Sequence, residues 1–475
     1  MANTGGASPP RRGSSRRGRR AGQPYPSGGR ASGRQTGPQA DPVRTLAFQV
    51  LCAVSHDGAY ANLELARQLG KAGFSERDAA FATELVAGTC RFQGSYDLVI
   101  ERASGRALNK FQPAVIDLLR MTSHELLSMR IPAHAAIDTS VEIAAARIGR
   151  RVTGLVNAVS RRISERDFEQ WLDLLAEGMD ELGQLALRSH HPRWIVQAFA
   201  ERLPEPELAL ALAADNSPPA VQLAVRPGLL DVRDLPEVEP ARYSPYGAYA
   251  HRPPASYAAV RAGLAGVQDE GSQLMALALA NADAPAGPWL DMCAGPGGKA
   301  ALLRGLAGGN AETLLASELR PHRAELVRQN LAAYSDAGHG VIVADGTRPP
   351  WREASFAKVL LDAPCTGLGA LRRRPESRWR RGPAALAELA PLQQRLLAAA
   401  VASTMPSGVI AYVTCSPHLR ETWEAVESLG PDAVEILSAA EYLPNVPDAA
   451  DGGFVQLWPH RHNTDAMFLA LLRRR

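Results

Sequence analysis

The sequence has no apolar run long enough to span a bilayer, which excludes a helical integral membrane protein. It is poor in cysteine. The five present (Cys52, Cys90, Cys293, Cys365 and Cys415) are scattered over hundreds of residues, and none forms a C-x-x-C pair. That pattern excludes a disulfide framework and carries no zinc signature, so reduced thiols, a cytoplasmic location and no metal are expected. Residues 1 to 40 contain no acidic residue at all. They hold eight arginines among glycine, serine, proline and alanine, with no hydrophobic stretch behind them, so they are not a secretory signal. Such a segment cannot bury enough apolar surface to offset its ordering entropy, and a disordered basic tail is expected over 1–41. It suits either a loose nucleic-acid tether or a solubilising tail. A net charge of only +3 identifies no partner, because the positive charge is local.

What is present divides into blocks. With 475 residues, two to four structural units are expected. Residues 42–165 carry apolar positions at helical spacing over Pro42–Ser55, Arg77–Phe92 and Pro113–Met129, which reads as an all-α domain. Residues 166–265 read as a connector, first helical and then proline-rich and weakly patterned. From about 266 short apolar strands alternate with helices. The strands are expected at 288–292, 313–316, 340–343, 357–361 and 408–413, with an antiparallel edge strand at 466–472. This alternation argues for an α/β, Rossmann-like parallel sheet covered on both faces.

The first of these strands runs into Asp291-Met-Cys293-Ala294-Gly295-Pro296-Gly297-Gly298-Lys299-Ala300. A phosphate-binding P-loop would need glycine at 293 and Ser or Thr at 300, so that reading fails. Gly295, Gly297 and Ala300 fit the G-x-G-x-x-A of a dinucleotide site. A methyltransferase loop around the amino-acid end of its cofactor fits equally. Glu318 ends the next strand, where a carboxylate suits ribose hydroxyls, and Asp345 follows the third, placed to reach an adenine.

Two cysteines separate these readings. The fourth strand ends Asp362-Ala-Pro-Cys365 and the fifth ends Thr414-Cys415-Ser416-Pro417. Both thiols therefore fall at carboxyl ends of neighbouring strands, where open α/β sheets place ligands. Carbon 5 of cytosine is too poor a nucleophile to take a methyl group directly. A thiolate adding to carbon 6 makes carbon 5 nucleophilic, and the adduct must afterwards be expelled. An unperturbed cysteine, with pKa about 8.5, needs neighbours that stabilise its thiolate. Asp362 can hydrogen-bond the N3/N4 edge of the base, and Lys299 can add positive charge. A hydride-transfer enzyme has no comparable use for two thiols. The residues alone leave open which cysteine attacks.

DMCAGPGGK, LDAPCTGLGALRRRPESRW and VTCSP resemble the motifs of RNA cytosine-5 methyltransferases. RDAAFATELVAGTCRFQGSYDLVI, RIPAHAAIDTSVEIA and LVNAVSRRI resemble a NusB-like domain. Together with VQDEGSQ, the chain from about residue 42 onward resembles the RsmB (Sun/Fmu) family of 16S ribosomal RNA methyltransferases. The resemblance implies a NusB-like RNA-binding domain at 42–165, a connector with a small RNA-binding subdomain at 166–265, and a catalytic domain at 266–475. It implies S-adenosylmethionine as cofactor, held by Cys293 to Lys299, Glu318, Asp345 and Asp362. It makes Cys415 the nucleophile and Cys365 the group that assists product release. It implies a monomer acting on small-subunit ribosomal RNA before assembly is complete. After Cys415 the family commonly reads Pro-Glu-Glu-Asn, where this chain has Pro417-His-Leu-Arg-Glu421-Thr, so a role for that Glu-Asn pair is not carried over. A transfer-RNA substrate and a catalytically silent assembly factor stay open.

Between the fourth and fifth strands lie Arg372, Arg373, Arg374, Arg378, Trp379, Arg380 and Arg381. Guanidinium groups neutralise phosphates and an indole stacks on bases, so RNA contact is expected from this run. His418 could act as a base but reads more simply as a loop histidine, as do His460 and His462.

Overall fold

The computed structural model describes residues 40–475, so the basic tail expected at 1–41 lies almost wholly outside the described residues. The chain opens with the helix Pro42–His56, with proline in its first turn and the Asp41 side chain accepting from the Arg44 N–H. The next long helix, Glu76–Ser104, runs well past the expected end at Phe92, because Tyr96, Val99, Ile100 and Ala103 continue its buried stripe. With Pro113–Leu127 and Thr153–Ile163 these helices enclose one apolar core around Leu85, Ile100, Leu118 and Val156.

The connector is more ordered than its sequence texture implies. Four short helices, from Phe168–Ala176 to Glu207–Asp215, lead into an antiparallel sheet. Its strand order is Val238–Pro240, Gly247–Ala250, Gln222–Val225, Ala265–Val267.

The large sheet has nine strands. Trp289–Asp291 pairs in parallel with Leu314–Glu318 on one side and Phe356–Asp362 on the other. His339–Val343 and Thr404–Thr414 extend it outward, also in parallel. The order therefore reverses at Trp289–Asp291, and loops leaving its carboxyl end face an open crevice. Trp289, Leu290, Val359, Leu360, Leu361, Ile410 and Tyr412 are fully buried, as a sheet covered on both faces requires.

The last strand, Phe468–Arg474, is antiparallel as expected, but it is not an edge. Thr404–Thr414 flanks it on one side, and Val434–Leu437 and Phe454–Gln456 pair on its other. Its side chains from Phe468 to Leu472 are consequently all buried. No described helix is long and apolar enough to cross a membrane.

Candidate active site

Three strand ends and one loop converge at the switch point. The Trp289–Asp291 strand enters the turn 292–297, and the helix Gly298–Gly309 starts directly behind it. Gly297 sits at φ +114°, and a Cβ there would lie 2.9 Å from the Val327 Cα, so only glycine lets the loop pack on the neighbouring helix. At Gly295 a Cβ would meet the Glu318 carboxylate. The Gly295 N–H donates to Glu318 Oε2 (3.1 Å) and the Arg320 N–H to Oε1 (2.9 Å), which turns Glu318 toward the loop. Ala294 N–H is held by the Ser317 carbonyl (2.9 Å), while Pro296 is exposed. Cys293 is packed under the loop, and burial pushes its thiol up, so it stays protonated. Asp345 is exposed beyond His339–Val343. The Thr347 N–H and hydroxyl donate to it (2.9 and 2.7 Å) and hold its carboxyl below the usual range.

Asp291 is a residue that reading the sequence did not single out. It is fully buried, neither carboxylate oxygen has a hydrogen-bond partner among the described residues, and burial followed by the charge of Asp362 pushes it up to about 8. A buried carboxylate without a donor is costly unless a ligand supplies one. Its sequence signal was slight: an acid closing a fully apolar strand.

Lys299, in the first turn of its helix, places Nζ 2.9 Å from Asp362 Oδ2. Burial works against its charge, but the Asp362 carboxylate beside it outweighs that and raises its pKa. Asp362 Oδ1 keeps no protein partner among the described residues and the side chain is half-buried, so one oxygen faces the crevice.

The register sets Asp362 opposite Val413, so the turns carrying Cys365 and Cys415 leave side by side. Their sulfurs stand 3.4 Å apart. The two thiols are not equivalent. Cys415 is lowered, first by the hydrogen bond from Cys365 and also by the Lys299 charge, against opposing burial. Cys365 is raised by the same bond and by burial. Either sulfur can donate to the other, and the opposite directions favour Cys415 as the thiol that ionises first.

The arginine run is placed otherwise than expected. Arg378 is fully buried, and its guanidinium donates to the carbonyls of His190 (3.0 Å) and Asp215 (3.2 Å) and to Asn216 Oδ1 (2.9 Å). Arg372 is buried against Asn463 and Asp465, and Arg373 is paired with Asp269 and Asp465. Trp379 donates its indole N–H to the Cys90 carbonyl (2.7 Å) and packs on Gly94. These four groups face protein partners, Arg372 and Arg378 from buried positions and Arg373 and Trp379 from half-buried ones. Arg374, Arg380 and Arg381 are exposed. Arg374 and Arg380 lie over the Tyr60 ring, Arg380 also donates to carbonyls of the first helices, and Arg381 donates to the Cys365 carbonyl.

His418 is half-buried, its Nδ1 accepts from the Arg420 N–H (3.1 Å), and burial lowers it. His460 meets Glu207, and both nitrogens of His462 face backbone groups. In the helical region Cys52, His56 and Asp117 cluster; Ser55 and Arg120 donate to Asp117 Oδ1, and His56 Nε2 lies 3.2 Å from Oδ2.

A family model described as 16S rRNA methyltransferase RsmB/F matches residues 274–473, and a NusB family model matches 41–165. Rv1407 of Mycobacterium tuberculosis (strain H37Rv), named as a methyltransferase without a substrate, is 49% identical over 91% of this chain and 97% of its own. The ribosomal RNA small subunit methyltransferase B of Pseudomonas putida is 32% identical over 81% of this chain and 88% of its own. The chain belongs to the RsmB/F methyltransferase family. It is an S-adenosylmethionine-dependent RNA cytosine methyltransferase of that family, carrying an N-terminal NusB region. The crystal structure of PH0851 shares the fold, with a TM-score of 0.77 at 20% identity over 91% of this chain and 98% of that one.

The residues present fit the cofactor. The Gly295–Gly297 turn leaves no room for side chains, Asp291 holds an unsatisfied carboxylate under it, and Glu318 borders it. Two large apolar side chains, Leu319 and Val343, lie exposed at adjacent strand ends near Asp345.

Proposed function

We propose that this protein methylates carbon 5 of a cytosine in 16S ribosomal RNA, with Cys415 as the covalent nucleophile. The observation that carries the reading is the pair of sulfurs 3.4 Å apart beside the Lys299–Asp362 ion pair. Bound at the glycine loop, S-adenosylmethionine supplies an electrophilic methyl group. Gly295 and Gly297 admit it, with Cys293, Ala294, Pro296 and Gly298 completing the turn. Glu318 takes ribose hydroxyls. Asp345, Leu319 and Val343 border the adenine, because a flat apolar ring removes the two exposed side chains from water.

The thiolate of Cys415 adds to carbon 6, and the electron pair moves onto carbon 5, which takes the methyl group. Asp362 Oδ1 holds the N3/N4 edge of the base while Lys299 keeps that carboxylate oriented and adds positive charge beside the thiolate. Cys365, the protonated partner, then assists departure of the Cys415 sulfur. The target base has to be turned out of its stack to reach two sulfurs at the bottom of a crevice, so the substrate is RNA not yet locked into the finished subunit.

Residues 42–165 serve as the NusB-like RNA-binding region, 166–265 as connector and small RNA-binding subdomain, and 266–475 as the catalytic domain. Of the arginine run, the exposed Arg374 is left to meet phosphate, since Arg380 and Arg381 already donate to backbone carbonyls. The protein acts as a monomer in the cytoplasm.

The test is transfer of labelled methyl groups to unmodified 16S ribosomal RNA, with transfer RNA in parallel, followed by mapping of the modified base. Label on cytosine of the ribosomal RNA is expected. Label confined to transfer RNA would overturn the substrate assignment.

A further inference from the structure

Glu421 is buried completely, yet nothing in the chemistry above uses it. Its carboxylate points into the turn that carries Cys365. Oε1 accepts from the Thr366 backbone N–H (2.7 Å) and from Gln393 Nε2 (3.1 Å), and Oε2 accepts from the Thr366 hydroxyl. Gln393 Nε2 also donates to the Pro364 carbonyl (2.9 Å). The residues on both sides of Cys365 are therefore gripped by one Glu421–Gln393 pair. Glu421 itself is anchored, because Tyr412 donates its hydroxyl to the Glu421 carbonyl (2.8 Å) from within the strand that leads to Cys415. A second tie, the Gly369 N–H to the Cys415 carbonyl (2.9 Å), joins the two turns directly.

We propose that Glu421 is a positioning residue for product release: by clamping Thr366 it holds the Cys365 sulfur against the Cys415 sulfur. A contact of 3.4 Å between sulfurs on separate turns needs both turns fixed. Thr366 is the residue after Cys365, and three donors converge on one carboxylate there. A buried carboxylate with three donors has a single well-defined orientation, which a water molecule or a shorter side chain would not reproduce. The charge of Glu421 acts in the same direction, since it helps keep Cys365 protonated and able to donate.

The proposal rests on the reading that Cys365 assists release. In that step the carbon-5 proton passes to water, its electron pair restores the C5–C6 double bond, and the S–C6 bond breaks with its electrons going to Cys415. The Cys365 thiol stabilises that departing thiolate by hydrogen bonding. A displaced Cys365 slows this step; it also removes the bond that lowers Cys415, so the preceding attack is unaffected only at a pH high enough to ionise Cys415 without it.

The experiment uses full-length protein, S-adenosylmethionine and an unmodified 16S ribosomal RNA transcript, with single-turnover methyl transfer and covalent protein–RNA complex on denaturing gels measured side by side. Cys365→Ala serves as reference. At alkaline pH, where Cys415 ionises whether or not Cys365 donates to it, Glu421→Ala, and independently Thr366→Val, are expected to transfer the first methyl at close to the wild-type rate. Both are expected to turn over about tenfold more slowly or worse, from the loss of one hydrogen bond to a charged group in Thr366→Val and of three in Glu421→Ala, with covalent complex accumulating. Glu421→Gln keeps an acceptor for the Thr366 N–H and is expected to restore release. Calorimetric binding of S-adenosylmethionine reports that each variant is folded. Variants that bind cofactor normally but lose transfer and release in equal proportion, with no trapped complex, would overturn the proposal. So would a Glu421→Gln as impaired as Glu421→Ala. If Cys365→Ala itself traps nothing, the role of Cys365 in release falls, and the proposal falls with it. If Cys365→Ala traps RNA and the Glu421 and Thr366 variants do not, only the positioning role is lost.

Discussion

Replacing Arg378 by alanine separates a structural arginine from an RNA-binding one. The wild-type guanidinium sits at zero exposure and makes three hydrogen bonds of 2.9–3.2 Å to His190, Asp215 and Asn216. Each bond from a charged donor is worth about 1.5–3 kcal/mol, and its removal leaves buried acceptors without a donor. Against this, the variant no longer has to desolvate a cation, a cost that has already lowered the arginine to about 10. The two effects leave a net loss of about 3 kcal/mol. At roughly 2 °C per kcal/mol for a large domain, the melting temperature should fall by about 6 °C. Scanning calorimetry measures this, and RNA affinity over a salt series is measured alongside. A lost phosphate contact on a single strand lowers the salt slope by about 0.7, and the account predicts no change in slope. An Arg378→Ala protein that melts within a degree of wild type while its salt slope drops by that amount would refute the reasoning.

Lys299→Met removes the charge beside the thiolate and the partner of Asp362. Methyl transfer should fall roughly 10- to 100-fold, the cost of one charge-assisted hydrogen bond, and alkylation of Cys415 should need higher pH, as stopped alkylation and mass spectrometry would show. Asp291 is an acid whose folded pKa, about 8, lies above its unfolded value, so between pH 5 and 8 the folded state binds more protons and ligand-free stability falls as pH rises. Asp291→Asn should flatten that part of the pH–melting curve, and an unchanged slope would contradict the assignment of an unpaired buried carboxylate. Cys365→Ala removes the bond that lowers Cys415, so the pH dependence of Cys415 alkylation should shift upward.

The parallel sheet was legible because its strands are continuous apolar runs set between helical patterns, and the two Cys-bearing turns could be placed at strand ends from that alone. The edge position expected for 466–472 was wrong for a physical reason. The strand Val434–Leu437 that covers it has only four residues, with exposed Glu435 and Ile436, and shows no pattern against its surroundings. The connector sheet escaped notice likewise, since its strands are three or four residues long and lie among prolines. A run of six arginines around one tryptophan reads as a solvated or RNA-facing surface when only neighbours in sequence are counted. The partners of Arg378 and Trp379 lie 160 to 290 residues away, and only the folded chain brings them together. Asp291 and Glu421 share that limit. A carboxylate's burial, and what it faces, depend on elements distant in sequence.

The central claim is tested most directly by digesting the protein–RNA complex that Cys365→Ala should accumulate and sequencing the nucleotide-bearing peptide by mass spectrometry. The account predicts a methylated cytidine attached through carbon 6 to the peptide containing Cys415. A nucleotide on any other residue, or a Cys415→Ala protein that still transfers methyl groups at the wild-type rate, would contradict it.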